Sequence, residues 1–352
     1  MVLMGKKSLI IFLFLAAAVP AFAGPLPSPP AGKLYHGVYP GGAFQLEDVI
    51  ATAELTSYQA TVGKKAAWVY FSNDWFRDRA FPAGTADWVR NNGSVPFIRL
   101  MLRSSAAINT AEAVFTLDRI ASGEFDADLR GWFRSAKEFQ TPLLVEYGTE
   151  VNGRWFPWNG FWNGGPDGPE KFKTAYRHII GLAREEGAGN ITWVFHVNYH
   201  DDPAAAWNRF EYYYPGDEWI DWLGLSVYGE QTPTGLVNFR FRALMDKTYA
   251  RLAKLSPDKP VALIEFGVTS LNKLVNQANW ADQALRDLTR PRWKRLVGFA
   301  WWNEAWHNYD PVYDVNMRIE DNPALARVFR KRIAENGKVL DRATPQPAGS
   351  GN

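Results

Sequence analysis

The chain has 352 residues, 47% of them apolar and 22% charged, a balance that provides for a large core and excludes wholesale disorder. Its 39 basic and 37 acidic residues nearly cancel, which argues against a nucleic-acid partner, and the absence of cysteine removes disulfides, thiolate metal sites and thiol nucleophiles. The surplus is aromatic: 16 Trp, 14 Tyr and 22 Phe exceed what a core requires and suit stacking on flat apolar ligand faces such as those of sugar rings.

At the start of the chain, Lys6 and Lys7 precede an apolar run from Leu9 to Val19, and Ala21-Phe22-Ala23 presents small residues at alternate positions. This pattern predicts a secretory signal over 1–23, cleaved after Ala23, and a secreted or periplasmic protein. The apolar run is shorter than the roughly 20 residues that span a bilayer, so no membrane association is expected after cleavage. Outside the cytoplasm, nucleotide cofactors are scarce, which leaves hydrolysis or binding. Residues 24–33 read as a proline-rich linker, 34–336 as one folded domain, and 337–352, with Pro345, Pro347 and Gly349, as a disordered tail.

Within the domain, eight short apolar runs follow one another: 34–39, 67–71, 95–102, 142–147, 191–197, 220–228, 261–266 and 297–302. Helical patterns separate them. Phe172, Tyr176, Ile179, Ile180 and Ala183 share one face of a helix that begins near Pro169 and stops before Gly187. Leu129, Trp132, Phe133 and Ala136 repeat the pattern before the fourth run, and Leu244, Thr248, Leu252 and Leu255 before the seventh. Strands alternating with helices predict a parallel sheet, and eight units predict a single-domain α/β (β/α)8 TIM barrel, with its chemistry at the C-terminal ends of the strands. An open doubly wound sheet fits less well, because no Gly-rich phosphate loop is present. In the sixth run, Leu223, Leu225 and Val227 would face the helices, while Gly224, Ser226 and Tyr228 face the barrel interior.

Glu150 lies just past the fourth run and Glu265 at the end of the seventh. Three βα units separate them, so both carboxylates are expected on one rim, across the barrel from each other. Facing carboxylates are the apparatus of glycoside hydrolysis, in which one protonates the leaving oxygen and the other attacks the anomeric carbon or activates water. Trp155, Phe156, Trp158 and Trp162 follow Glu150 in a Gly- and Asn-rich loop that includes Asn152, and they are expected to contact the glycan. His196, at the end of the fifth strand, is a further substrate-contact candidate. Glu146 is expected in a buried structural bridge with Arg99, and Glu230 and Glu304 as loop residues. His196, His200, Asp201 and Asp202 are close in sequence, but without a H-E-x-x-H pattern no metal and no cofactor is expected.

The runs Glu150-Val151-Asn152-Gly153-Arg154-Trp155-Phe156-Pro157-Trp158, Leu225-Ser226-Val227-Tyr228-Gly229 and Ile264-Glu265-Phe266-Gly267, with Trp302-Asn303 in the eighth strand, together resemble glycoside hydrolase family 26, which comprises mostly β-mannanases with some β-glucanases and xylanases. The resemblance implies a retaining mechanism, with Glu150 matching the acid/base, Glu265 the nucleophile, Tyr228 the tyrosine near the nucleophile and Trp302 the platform under the reacting sugar. Thr149 departs from the pattern, since the family usually carries His there, and it is expected beside the 2-hydroxyl of that sugar. Tyr228, donating to Glu265, should favour its charged form, and aromatic surroundings should favour protonated Glu150. The expectation is therefore a monomeric endo-β-glycanase acting on β-1,4-linked polysaccharide or oligosaccharide, mannan first and β-glucan second. A noncatalytic polysaccharide-binding protein and a glycosidase of exopolysaccharide assembly or trimming are the alternatives.

Overall fold

A computed structural model describes residues 24–42, 46–233, 235, 240–308 and 310–343. Along the chain the elements are β1 (Leu34–Tyr39), α1 (Thr52–Val62), β2 (Trp68–Asp74), α2 (Ala83–Asn91), β3 (Val95–Met101), α3 (Leu117–Ala121), α4 (Asp126–Phe139), β4 (Leu143–Tyr147) and α5 (Gly168–Glu186). There follow β5 (Ile191–Asn198), β6 (Trp222–Tyr228), α6 (Phe241–Leu255), β7 (Val261–Gly267), α7 (Gln277–Leu288), β8 (Leu296–Trp302), a short antiparallel pair β9 (Ala305–Trp306) and β10 (Val315–Asn316), α8 (Pro323–Phe329) and β11 (Val339–Leu340). Strands β1 to β8 pair in sequence order, all parallel, and β8 pairs back to β1, so the sheet closes into the predicted (β/α)8 barrel. All eight predicted strands are present, with ends that differ by a few residues.

The helices form for the reasons the pattern gives. On α5 the five predicted apolar residues are all buried, Pro169 occupies the first turn, and Gly187 caps the C-terminus in the left-handed conformation at φ 76°. On α6 the buried stripe is Phe241, Met245, Thr248 and Leu252, and Leu244 and Leu255 lie at its margin. Among the described residues, no helix is long and apolar enough to cross a membrane.

The barrel floor is built around Trp68. Its buried indole meets Tyr35, Phe97 and Trp222 edge to face, with ring centroids 6.1, 6.5 and 6.2 Å away. The space for it comes from Gly37 on β1 and Gly298 on β8, where a Cβ would fall 1.9 Å and 2.3 Å from indole atoms. A polar layer and then the rim lie above this apolar floor, so floor packing sets the strand geometry on which the rim side chains stand.

Two segments differ from expectation. Within the proline-rich stretch 24–33, Leu26 is buried, its N–H donates to Thr192 Oγ1 at 2.6 Å, and the Pro27 carbonyl accepts from the Tyr35 hydroxyl at 3.1 Å. The stretch packs against the barrel instead of acting as a linker, because a single leucine within it finds apolar cover. Past Gly337, β11 pairs with Leu34 and Tyr35, and the Val339 carbonyl accepts from Lys64 Nζ at 2.7 Å. The start of the predicted tail is therefore paired to the barrel, because Val339 and Leu340 meet β1 ahead of its pairing with β2 at Gly37, a long-range contact that composition does not show. The predicted signal (1–23) and residues 344–352 lie outside the described residues.

Replacing Gly298 by Ala should drive a methyl group into Trp68 and the Tyr35 carbonyl, and should lower stability by about 1–3 kcal/mol. Urea denaturation should show a lower midpoint with an unchanged slope.

Candidate active site

Side chains from the C-terminal rim line a cleft of about 680 Å³ that contains Glu150, Glu265, Tyr228, Trp155 and Trp302 together. The two expected carboxylates thus open into one cavity. Each is oriented by donors. Glu150 Oε1 accepts from Asn198 Nδ2 at 2.7 Å, and its Oε2 accepts from the Trp155 indole N–H at 2.7 Å. Glu265 Oε2 accepts from the Tyr228 hydroxyl at 2.8 Å, and its Oε1 lies 3.2 Å from the Tyr70 hydroxyl.

Backbone irregularities aim both residues. Glu150 has φ 47°, a left-handed conformation that a non-glycine residue adopts only where its surroundings enforce it, and such strain concentrates at functional sites. Gly148, two residues earlier, has φ 78°, and a Cβ there would stand 2.3 Å from the Phe172 ring, so the chain turns tightly over α5. On β7 the register against β6 pairs Leu225 with Leu263 but Ser226 with Glu265, so Ile264 is an extra residue. Ile264 lies against Gly224 inside the barrel, and Phe266 packs outward against Phe241 of α6. The bulge places two consecutive residues, Ile264 and Glu265, on the inner side.

Trp302 stacks on Tyr39 with ring centroids 4.0 Å apart, and the Arg99 guanidinium lies 5.5 Å from its ring. Arg99 pairs with Glu47, which also lines the cleft. Burial, and then the charge of Glu150, push Glu265 up to about 7, against the opposing pull of Arg99 and His196. Tyr228 does donate to Glu265 as expected, but burial and the charge of Glu150 outweigh the preference for the charged form that this donation should give.

Five predicted contact residues do not reach the cleft. Trp158 is buried, stacks on Phe156 and donates to the Thr149 carbonyl at 2.8 Å. Trp162 donates to the Arg154 carbonyl at 2.6 Å, folded onto its own loop. Asn152 is buried and accepts from the Asn198 N–H at 2.8 Å, bracing the residue that holds Glu150. His196 is fully buried, with Nε2 2.8 Å from Ser226 Oγ and Nδ1 between the two Glu146 oxygens at 3.1 and 2.9 Å. Thr149 is buried and donates to Glu146 Oε1 at 2.5 Å. A Gly- and Asn-rich loop reads as solvent-facing, whereas Thr149, Asn152 and Trp158 here are buried and Trp162 folds onto its own loop; His196 lies in β5, beneath the rim.

Other residues also stand differently. Glu146 is buried as expected, but Arg99 Nε is 3.9 Å from it, and its closer partners are Thr149, Tyr70 and His196. Glu230 caps its own turn through the N–H groups of Gln231 and Thr232. Glu304, just beyond the eighth strand, lines the cleft, and burial pushes it up to about 7. Asp201 pairs with Arg251 and Asp202 with Arg154, which ties both into salt bridges. Asn198, Tyr70 and Glu47 were not anticipated. Asn198 shares the strand parity of His196 and was findable on that ground, whereas Glu47 comes from a loop with no pattern to flag it.

A closed parallel barrel with two donor-braced carboxylates opening into one aromatic cleft has the arrangement that glycoside hydrolysis uses. Residues 103–263 match the model of glycosyl hydrolase family 26. The match covers just under half of the chain and falls on the family that its motifs resemble. It is 25% identical over 332 residues, 94% of its own length, to endoglucanase H of Acetivibrio thermocellus, and 31% identical over 116 residues to a β-1,3-xylanase of a Vibrio species. It spans about a third or less of the length of these curated relatives. Among solved structures, the catalytic domain of a Bacillus sp. JAMB-750 family 26 endo-β-1,4-mannanase superposes with a TM-score of 0.62 at 16% identity, covering 90% of this chain and 89% of that one. A Cellulomonas fimi endo-β-1,4-mannanase double mutant gives 0.62 at 18% identity, covering 88% of this chain and 72% of that one. These likenesses show the barrel fold.

Because the folded Glu265 binds its proton more tightly than the ordinary 4.5 of an exposed glutamate, the folded state holds more protons than the unfolded state between about pH 4.5 and 7, and stability falls as pH rises through that window. Replacing Glu265 by Gln should remove this penalty. Urea titrations should find the variant more stable than the parent at pH 8, by on the order of 2 kcal/mol, and nearly equal at pH 4.5.

Proposed function

We propose that the protein is an exported, retaining endo-β-glycanase that cleaves β-1,4-linked polysaccharide by double displacement, with mannan as the first substrate and β-glucan as the second. The observation that carries this reading is the pair Glu150 and Glu265 in one cleft, each with both oxygens held by donors, beside Trp302 and Trp155. A binding module has no use for two oriented carboxylates. The two polymers follow from the relatives: the solved structures noted above are mannanases, and the curated relative that covers nearly the whole chain is an endoglucanase.

In this reading Glu150 protonates the leaving glycosidic oxygen, and Glu265 attacks the anomeric carbon to form a glycosyl ester. Glu150, now an anion, then takes a proton from the water that opens the ester. Trp155 and Asn198 fix both oxygens of Glu150 so that its proton is presented to the leaving group. Tyr228 orients Glu265 for in-line attack. The first step needs Glu150 protonated and Glu265 ionised, and positive charge developing at the anomeric carbon favours the Glu265 anion.

Proton NMR of fresh product should show the β-anomer first, and early α-anomer would exclude retention. Replacing Glu150 by Ala should cost about a hundredfold to ten-thousandfold on polysaccharide, while added azide should rescue turnover of aryl glycosides and yield a β-glycosyl azide. Glu265→Ala should give no such rescue. The opposite pattern would reverse the two roles.

A further inference from the structure

Below the cleft lies a buried polar cluster that the proposed chemistry does not use. Glu146 Oε1 is approached by three donors: the Thr149 hydroxyl at 2.5 Å, the Tyr70 hydroxyl at 2.6 Å and His196 Nδ1 at 3.1 Å. Burial opposes charge on both members of the His196–Glu146 pair, yet their mutual attraction wins, holding His196 above and Glu146 below their ordinary values. The Tyr70 hydroxyl stands between this pair and the cleft, 2.6 Å from Glu146 and 3.2 Å from Glu265. It has one hydrogen and two carboxylates to serve.

We propose that Thr149 is a positioning residue for Glu265: by donating its own hydrogen to Glu146, it frees the single hydrogen of Tyr70 to turn toward Glu265 whenever that carboxylate is an anion. The proposal rests on the nucleophile assignment given above. No bond other than a hydrogen bond is made or broken. Arg99 Nε donates to Thr149 Oγ1 at 3.3 Å, which occupies that oxygen as acceptor and points its hydrogen to Glu146. When Glu265 becomes an ester it loses its charge, and the Tyr70 hydrogen returns to Glu146; when the ester breaks, the hydrogen turns back and stabilises the departing carboxylate. Thr149 is buried and Trp158 covers its carbonyl, so position 149 acts from beneath the site and does not touch the sugar.

The charged and titratable groups around Glu265 are Tyr228 from β6, His196 from β5, Glu146 and Glu150 from β4 and its loop, Arg99 from β3 and Tyr70 from β2. Thr149→Val removes no direct contact of Glu265; it takes one donor from Glu146 and one acceptor from Arg99 Nε, and the Tyr70 hydrogen should then stay on Glu146. The Glu265 anion then loses a donor and binds its proton more tightly.

The acidic limb of kcat/KM on soluble glycan should therefore move upward by roughly half to one pH unit in Thr149→Val. kcat should fall with KM little changed, Thr149→Ser should restore both, and the ratio of mannan to glucan activity should be the same in all three proteins. Tyr70→Phe should move the limb in the same direction, and Thr149→Val added to it should move it no further. An unmoved limb in Thr149→Val, additive shifts in the double variant, or a changed mannan-to-glucan ratio would overturn the proposal. Should Thr149→Val not fold, Tyr70→Phe with and without Thr149→Ser decides: no upward shift in Tyr70→Phe would be contrary to it. If the parent releases product from no glycan, the functional reading fails. The hydrogen-bond proposal is then read by carboxyl-labelled 13C NMR titration, with the Glu265 signal assigned through Glu265→Gln. An upward displacement of that titration in the same variants supports it, and an unmoved one rejects it.

Discussion

Two acidic side chains facing each other in a desolvated cleft repel, and the rest of the site is arranged to hold them there. Each carboxylate has both oxygens engaged by donors on different strands or loops: Asn198 and Trp155 for Glu150, Tyr228 and Tyr70 for Glu265. Arg99 supplies the nearby positive charge. Even so, burial and like charge keep Glu265 near neutrality in its proton affinity. In the proposed mechanism, positive charge developing at the anomeric carbon would relieve that cost.

The support for this arrangement runs downward through the barrel. The rim carboxylates rest on a polar layer of Glu146, His196, Ser226, Thr149 and Tyr70, closed by hydrogen bonds and inaccessible to water. Beneath it, Trp68 fills the floor between two glycines. The order of layers is consistent with their tasks. An apolar floor fixes strand spacing by packing, and a hydrogen-bonded polar layer, in which His196 pairs with Glu146, fixes side-chain orientation.

The barrel was legible because its cause is local: eight short apolar runs with helical stripes between them leave few other closed sheets. Glu150 and Glu265 were legible through their motifs, not through periodicity. Strict alternation along β7 from Ala262 places Ile264 inward and Glu265 outward, and only the bulge at Ile264 brings the carboxylate into the cleft. Trp158, Trp162, Asn152 and Thr149 were misplaced because a sequence shows which residues follow a strand but not how far the following loop folds back over it, and His196 because strand parity does not show how deep in the barrel a residue stands. Leu26 and Val339 were missed for a related reason, since their composition-poor neighbourhoods hide long-range contacts with Thr192 and Leu34.

The central claim is that Glu265 is the group that becomes covalently attached to the sugar. A 2-deoxy-2-fluoro glycoside with a good leaving group slows the opening of the ester more than its formation, so the intermediate accumulates. Peptide mapping by mass spectrometry after such treatment locates the attached sugar directly. The account predicts one sugar per chain on the peptide containing Glu265. Attachment at Glu150, Glu146 or Glu304, or no attachment alongside active hydrolysis, would contradict it.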